Sequence, residues 1–435
     1  MHATCHASSR RHRQASIPNA CTTESEAKVT TLTNRAALLF LSAISLSAAG
    51  SASAAEIFEP VAESCRGMRI NDLGEFTGLC TRPYEGLVRV PLHGQPSYIR
   101  SPDPSCDVRG IANNGTVFVQ CADNSLQRGY LWLPQQTTLL PLQPVIGHER
   151  ATVNGFSSVG VVVGTTVDRN GNAYPALWRN PIGRPTELKV GLLGTLGEGC
   201  VAVGVEDDNA VDPAVVGSCP NQGSDGSDPV VWRRDSLLAT YQAHRLKIPR
   251  DMTCIARFVS ADFVVGTCAD EDEDDDGNQL IEIAVWQSDT MLPRLLENSI
   301  PGGDPFLVSY PIGVSKDGAI AGSADAASHG QRPLVWRPLA NDLTLYKTAI
   351  DPTHPERNII PLRYNSGNAY LFGFSTPLNI FRLNTSTGHR EDLGAPAGYS
   401  AAYVFNASRS GCYFALEAFS LDGLNRDAIR ARVCP

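Results

Sequence analysis

"CDVRGIANNGTVFVQCADNSLQRGYLWLPQQTTLLPL", Cys106 to Leu142, decides the reading of the whole chain. Two cysteines close a short segment centred on Asn113-Asn114 and followed by Gly115, residue types that accept the positive φ of tight hairpin turns. On either side apolar and polar residues alternate with period two, the signature of a strand. Gly, Asn, Asp and Pro divide the stretch into four short strands, at about 106–112, 115–121, 129–134 and 137–142. Opposed residues of an antiparallel hairpin share a constant index sum, so Cys106 and Cys121 face each other at disulfide distance.

The same unit recurs along the chain. Trp132 lies in "GYLWLP", and "PALWRN", "PVVWRR", "IAVWQS" and "PLVWRP" place Trp178, Trp232, Trp286 and Trp336 in the same frame. Weaker copies are "LVRVPL" at Val88, "NIFRLN" at Phe381 and "AIRARV" at Ile429, and the eight positions are spaced by 44 to 54 residues. Upstream of each lies a turn and a strand, such as "INDLGEFTG" or "VSKDGAIAG"; downstream comes a short strand such as "PTELKV" or "REDLG". No segment keeps a 3.6-residue apolar period over three turns. Repeats of this length with four strands each predict an all-β chain, a β-propeller of four-stranded blades. Eight blades are expected, with seven as the alternative. The last unit stops after its third strand, and residues 56–62 have no unit of their own. That N-terminal segment is therefore expected to supply the missing strand and close the ring, which would leave no open sheet edge.

The frame also organises the cysteines. Ten of the twelve fall into neighbours in chain order: Cys65 and Cys80, Cys106 and Cys121, Cys200 and Cys219, Cys254 and Cys268, Cys412 and Cys434. Five disulfides are expected, each clamping the first two strands of a blade. In the third unit the corresponding places hold Ala151 and Thr166, and in the sixth Ser309 and Ala324, small side chains that suit a close cross-strand pair. No CxxC or Cys/His cluster has the ligand spacing of a zinc site.

Residues 1–54 stand outside the repeat. "LTNRAALLFLSAISLSAAGSASAAE" presents Arg35, an apolar run from Ala36 to Ala49, then Ala52-Ser53-Ala54, the order of a secretory signal. The run is short for a membrane span, and no other stretch could cross a membrane. The expected division is an N-terminal extension and signal over 1–54 and a single propeller domain over 55–435. An even cysteine count behind such a leader fits a secreted or periplasmic protein. Without residues 1–54 the chain keeps 31 basic and 43 acidic side chains, a balance that disfavours nucleic acid and anionic lipid as partners.

The repeat resembles that of the HAF-repeat family of extracellular bacterial proteins, which runs roughly Gly-Ile-Asn-x-x-Gly-x-Val-Val-Gly, then a strand ending in Leu-Trp, then Thr-Asp-Leu. The likeness is clearest at Gly155–Gly164 with Ala176-Leu177-Trp178, at Gly313–Gly322 with Leu334-Val335-Trp336, and at Asp392-Leu393-Gly394. The namesake His-Ala-Phe occurs in no copy. The resemblance implies export and a repeat fold and transfers no reaction.

Catalytic signatures are absent. There is no G-x-S-x-G elbow, H-E-x-x-H, phosphate-binding loop or dinucleotide fingerprint, and no catalytic residue is assigned. The six histidines after residue 54 (93, 148, 244, 329, 354 and 389) are scattered over different units. One loop stands out: in "CADEDEDDDGNQLIEIAVW", Asp272, Asp274, Asp276 and Gly277 match D-x-D-x-D-G, the opening of a calcium loop. The bidentate Glu of position 12 is missing; Ile283 stands there and Glu282 lies one place early. Weaker relatives of this loop offer Asp168, Asn170 and Asn172, and Asp225 with Asp228. Ca²⁺ is the one cofactor these residues suggest. The expectation is an exported, monomeric propeller that binds an extracellular or periplasmic protein or glycan. The alternative is a secreted propeller enzyme, a lyase or hydrolase acting on glycans.

Overall fold

The structure is a computed structural model that describes residues 58–434 apart from short gaps. These are 83–84, 102–104, 124–125, 191–194, 197, 208, 222–226, 261–262, 271–279, 288–290, 297–307, 315–317, 327–329, 340–341, 350–358, 366–369, 376–378, 385–386, 388, 395, 422 and 424. Residue contacts separate Met1–Gly50 from Ser51–Pro435, and the described residues all lie in the second body. Among the described residues every regular element is a β-strand.

The turns form as their residues dictate. Ala112 N–H donates to Thr116 O and Gly115 N–H to Ala112 O, both at 2.9 Å. Asn71–Glu75, Ser157–Val161 and Ser408–Tyr413 repeat the pattern around Gly74, Gly160 and Gly411. These glycines take φ of +71° to +92°, a region closed to most side chains. Each turn joins the first and second strands of a unit. Unit two is a four-stranded meander in chain order: Asp107–Ile111, Val117–Asp123, Leu126–Trp132 and Leu140–Pro141. Units three and seven form four-stranded sheets of the same order, and units five and six share one larger sheet. The first strand of the chain, Phe58–Ile70, serves two units. Its Phe58–Glu63 half pairs antiparallel with Asp427–Ala431 of the last unit. Its Glu63–Ile70 half pairs with Phe76–Arg82.

Five disulfides join the cysteines in chain order, with Cα separations of 3.9 to 4.8 Å. Cys65 faces Cys80 and Cys254 faces Cys268 in ladder register. Ala151 faces Thr166 and Ser309 faces Ala324 at the places without a bridge, and all four are buried. The Cys412–Cys434 bond departs from expectation. It ties the start of the second strand, Tyr413–Ser420, to the end of the third, Arg426–Arg432, not the first to the second. Cys412 sits in the turn after the first strand, so its nearest neighbour across the sheet comes from the third strand; Val433 N–H donates to its carbonyl at 2.9 Å.

Two further differences have one cause each. The constant index sum holds only at the cysteine end of each hairpin, because a β-bulge interrupts every first strand. Register slips by one between Val108 and Gly110, Ala202 and Gly204, Ala256 and Phe258, and at the matching places elsewhere. The weak copies of the tryptophan position are also two residues out. Val162 pairs with Trp178 and Gly164 with Ala176. By the same register Phe76 pairs with Val90, Leu371 with Leu383 and Phe414 with Ala431. Val90, Leu383 and Ala431 therefore replace Val88, Phe381 and Ile429 as the tryptophan equivalents. A two-residue slip keeps the same face of a strand, so apolar pattern alone cannot separate the two frames.

The third strands also fasten units to their neighbours at six junctions among the described residues. All five tryptophans are buried. The indole N–H of Trp178 donates to Gln143 O at 2.8 Å, that of Trp232 to Lys189 O at 3.2 Å and that of Trp286 to Lys247 O at 2.7 Å. Each acceptor follows the buried leucine that ends the preceding unit (Leu142, Leu188 or Leu246). In units seven, eight and one an arginine just before the tryptophan place reaches forward instead. Arg382 donates to Val433 O at 2.7 Å, Arg430 to Gly74 O at 2.8 Å and Pro91 O at 3.1 Å, and Arg89 to Pro134 O at 3.0 Å. Arg430 is 2% exposed and forms an ion pair with Glu59 at 2.6 Å. Arg430→Met is expected to lower stability by about 3 kcal/mol, since the carbonyls of Gly74, Pro91 and Leu92 lose a charged donor. Glu59→Gln should cost less than about 1 kcal/mol, because the carboxylate side of the pair is exposed. Urea unfolding at pH 7 checks the order of the two effects.

Candidate functional site

First strands and their turns from units one to six and eight line one cavity of about 1340 Å³. Sequential four-stranded meanders with their first strands around a common cavity make a β-propeller arrangement. The bulges help build the wall, where the extra residues Arg109, Val203 and Arg257 stand. The following position is glycine in units two, three, four and six, and in units three and four close approach of a backbone carbonyl explains it. A Cβ on Gly155 would collide with Val203 O, and one on Gly204 with Arg257 O. Unit one has Arg69 at this place. Its Nε donates to Arg109 O at 3.2 Å and its Nη1 to Met68 O at 2.9 Å.

At the turn end, side chains tie distant units across the cavity. Asp72 accepts from Ser410 N–H at 2.5 Å and Asn113 Nδ2 at 3.1 Å. Asp207 accepts from Ser158 N–H at 2.5 Å and pairs with the Arg409 guanidinium. Arg409 also donates to Phe156 O at 2.9 Å. Glu206 accepts from Ala214 N–H at 3.1 Å and Asn209 Nδ2 at 3.3 Å. Each of the three carboxylates among the described lining residues is thus bound by amides or by Arg409.

The arginines are placed differently. Arg109 approaches Asp107 at 3.8 Å, with both side chains more than 40% exposed. Arg257 is exposed on the wall and has no hydrogen bond or ion pair among the described residues. Burial lowers the Arg69 pKa most, the Asp107 charge raises it, and the Arg109 charge lowers it further, for a net decrease.

The residues singled out from sequence lie elsewhere. Asp272, Asp274 and Asp276, with Asp225, lie outside the described residues. Asp168 Oδ1 accepts the backbone N–H groups of Asn170 at 2.8 Å and Asn172 at 2.9 Å. Slight desolvation works against ionisation, but these bonds, the Asn172 amide and the His148 charge hold the Asp168 carboxyl below its ordinary range. Asp168 therefore organises its own turn, with the Asn172 side chain beside it. Asp228 pairs with Arg245. Among the described residues no group of three His, Cys, Asp or Glu could hold a metal ion, and no helix is long and apolar enough to cross a membrane. The cavity residues went unnoticed in the sequence. The signal was an arginine three or four places after the first cysteine of a pair, in "CRGMRI", "CDVRGI" and "CIARFV".

No family model and no curated protein matches the chain. Solved structures similar to it include the Dos1 propeller, at 11% identity and TM-score 0.47 over 86% of this chain and 94% of that one. The C-terminal WD40 domain of Sif2 is similar at 13% identity and TM-score 0.47, over 87% of this chain and 99% of that one. The dipeptidyl peptidase 4 of Porphyromonas gingivalis matches at 11% identity and TM-score 0.49, over 84% of this chain and 59% of that one. Likenesses at these TM-scores carry nothing about fold or function, and the propeller arrangement rests on strand order and the shared cavity.

Two glycines at equivalent places after the bulge give an internal control. Gly204→Ala forces a methyl onto the Arg257 carbonyl and should cost about 2 kcal/mol or more. Among the described residues nothing lies within 4 Å of a Cβ on Gly313, so Gly313→Ala should stay within about 0.5 kcal/mol of wild type. Denaturant midpoints of the two variants decide it.

Proposed function

We propose that the chain is an exported, eight-bladed β-propeller, closed by its N-terminal strand, that works as a binding module through its axial cavity. The observation that carries this reading is the wall itself. Seven units contribute to one cavity whose carboxylates are engaged by amides and Arg409, an arrangement that suits holding a ligand rather than shuttling protons. Closure is supported by the seam between units eight and one. There Arg430 reaches its neighbour's turn glycine and strand end as Arg89 does between units one and two. Export is supported by the signal-like order around Arg35 to Ala54 and by five disulfides, which persist in oxidising compartments. The likeness to HAF-repeat proteins belongs to the same reading. The partner is an extracellular or periplasmic glycan or protein. Residues 55–435 on a glycan array test this: saturable binding without release of new reducing ends is expected. Turnover of a bound glycan would replace the module by an enzyme.

Calcium in the acidic loop is part of this proposal. Asp272, Asp274 and Asp276 supply alternating hard oxygens. At the loop's base Asp270 N–H bonds Leu280 O at 3.2 Å, and the Glu282 pKa is raised by burial and then by the Asp270 charge. A nearby cation would relieve that repulsion. A raised carboxyl pKa means that the penalty is absent at low pH and grows as pH rises through the folded value. Glu282→Gln should therefore raise the thermal midpoint at pH 7 in chelator and leave it unchanged near pH 3. For wild type, calcium at ten times its dissociation constant should add about 1.4 kcal/mol. Identical midpoints in calcium and chelator would remove the ion from the proposal.

A further inference from the structure

We propose that the axial cavity is a site for a small, multiply anionic ligand, held by Arg69, Arg109 and Arg257. This rests on the binding-module reading and names its ligand chemistry. The wall residues divide by how far each charge is already satisfied. Asp72 and Asp207 accept backbone N–H groups and the Asn113 or Arg409 side chain, and Glu206 accepts Ala214 N–H. Arg409 is neutralised by Asp207. Three guanidiniums remain. Arg69 gives its hydrogen bonds to two carbonyls, which carry no charge, and the Asp107 charge that favours it is shared with Arg109. Arg109 has only the long, exposed contact to Asp107. Arg257 has no hydrogen bond or ion pair among the described residues.

Their place in the fold argues against ordinary solvated arginines. Each stands at or beside the bulge of a first strand, on the wall of a shared cavity, whereas the extra residue at the bulge of units three, four and six is the uncharged Asn154, Val203 or Ile312. Burial lowers the pKa of Arg69, a cost that a bound anion would offset. Planar guanidiniums bind carboxylate, phosphate and sulfate bidentately. A cavity of about 1340 Å³ has room for several such groups on one molecule. The shared chemistry is therefore an oligo-anion, and the source is either an acidic oligosaccharide or a polyphosphate.

Titration calorimetry of residues 55–435 separates these sources. The probes are tri-galacturonate, its neutral methyl ester and tripolyphosphate, each at low and at physiological salt. Binding of at least one of the two anions is expected, weakened by salt, with the ester failing to bind. Arg257→Gln should weaken binding about tenfold. It removes no contact seen in the fold, so its thermal midpoint should match wild type. The Arg69→Gln/Arg109→Gln pair should weaken binding further, and Arg69→Lys with Arg109→Lys should restore part of it. Anion binding unchanged in Arg257→Gln and in the double Gln variant would overturn the site. So would saturable binding of the neutral ester or of neutral glycans alone, an outcome that leaves the binding-module reading standing. No binding of any probe, together with an empty glycan array, would overturn both.

Discussion

The indole of Trp178 is buried between units two and three, among Leu131, Leu142, Val153 and Val162, and its one polar atom donates to the carbonyl of Gln143 in the unit before. That arrangement states the constraint on which the structure depends. A lone four-stranded meander leaves its faces open to water, and each unit here buries them against its neighbours: Val162, Ala176 and Trp178 of unit three pack on unit two, and Val161, Val163 and Leu177 on unit four. A buried indole N–H must find an acceptor, so burying the ring fixes the position of the adjacent unit as well as filling the core. Trp232 and Trp286 repeat the contact with Lys189 O and Lys247 O. Trp336 has no acceptor among the described residues, and the residue after Leu296, where the frame would put one, is not among them. Where tryptophan gives way to Val90, Leu383 and Ala431, the arginine one place earlier takes over the task with stronger, charge-assisted bonds. The two devices meet at Trp132, whose ring lies 5.8 Å from the Arg89 guanidinium.

The bulge is the second constraint, and it links the fold to the cavity. An extra residue in each first strand raises the local twist and re-aims one side chain. It also turns a carbonyl onto the neighbouring strand. Gly164, Gly217 and Gly266 in the second strands would each bring a Cβ against a first-strand carbonyl, from Thr152, Val201 and Ile255. The recurring glycine of the repeat is therefore a packing requirement of the bulge. The turn end is fixed separately, by Asp72 and Asp207 acting across units.

How much of this could be read from sequence follows from the range of each interaction. Disulfide partners and turn glycines are local, and a hairpin's geometry ties them to spacing; Ala151 with Thr166 and Ser309 with Ala324 followed from the same frame. Positions within a strand are less secure, because period two repeats itself, and Val88, Phe381 and Ile429 fit the apolar face as well as their neighbours two places on. The bulge was hidden because one added residue changes no residue type. The cavity was hidden because it is assembled from seven units, and nothing in one sequence says that Arg69, Arg109 and Arg257 share a wall. At Asp168 the Asx turn and the calcium loop favour the same residues, and its carboxylate accepts two N–H groups of its own backbone turn.

The charge of the chain and that of its cavity point in opposite directions, and distance decides between them. The chain as a whole carries a formal charge of −9, which at long range disfavours the approach of an anion. Physiological salt screens that field within about 8 Å. Inside the cavity the nearest charges govern, and there the carboxylates are bound by amides and Arg409 while guanidiniums stand at the wall. Salt then acts twice, weakening the repulsion outside and the attraction within. The inner contacts are shorter and less hydrated, so they are screened less. A net acidic surface is compatible with a local site for anions, and it restricts such a site to ligands small enough to enter.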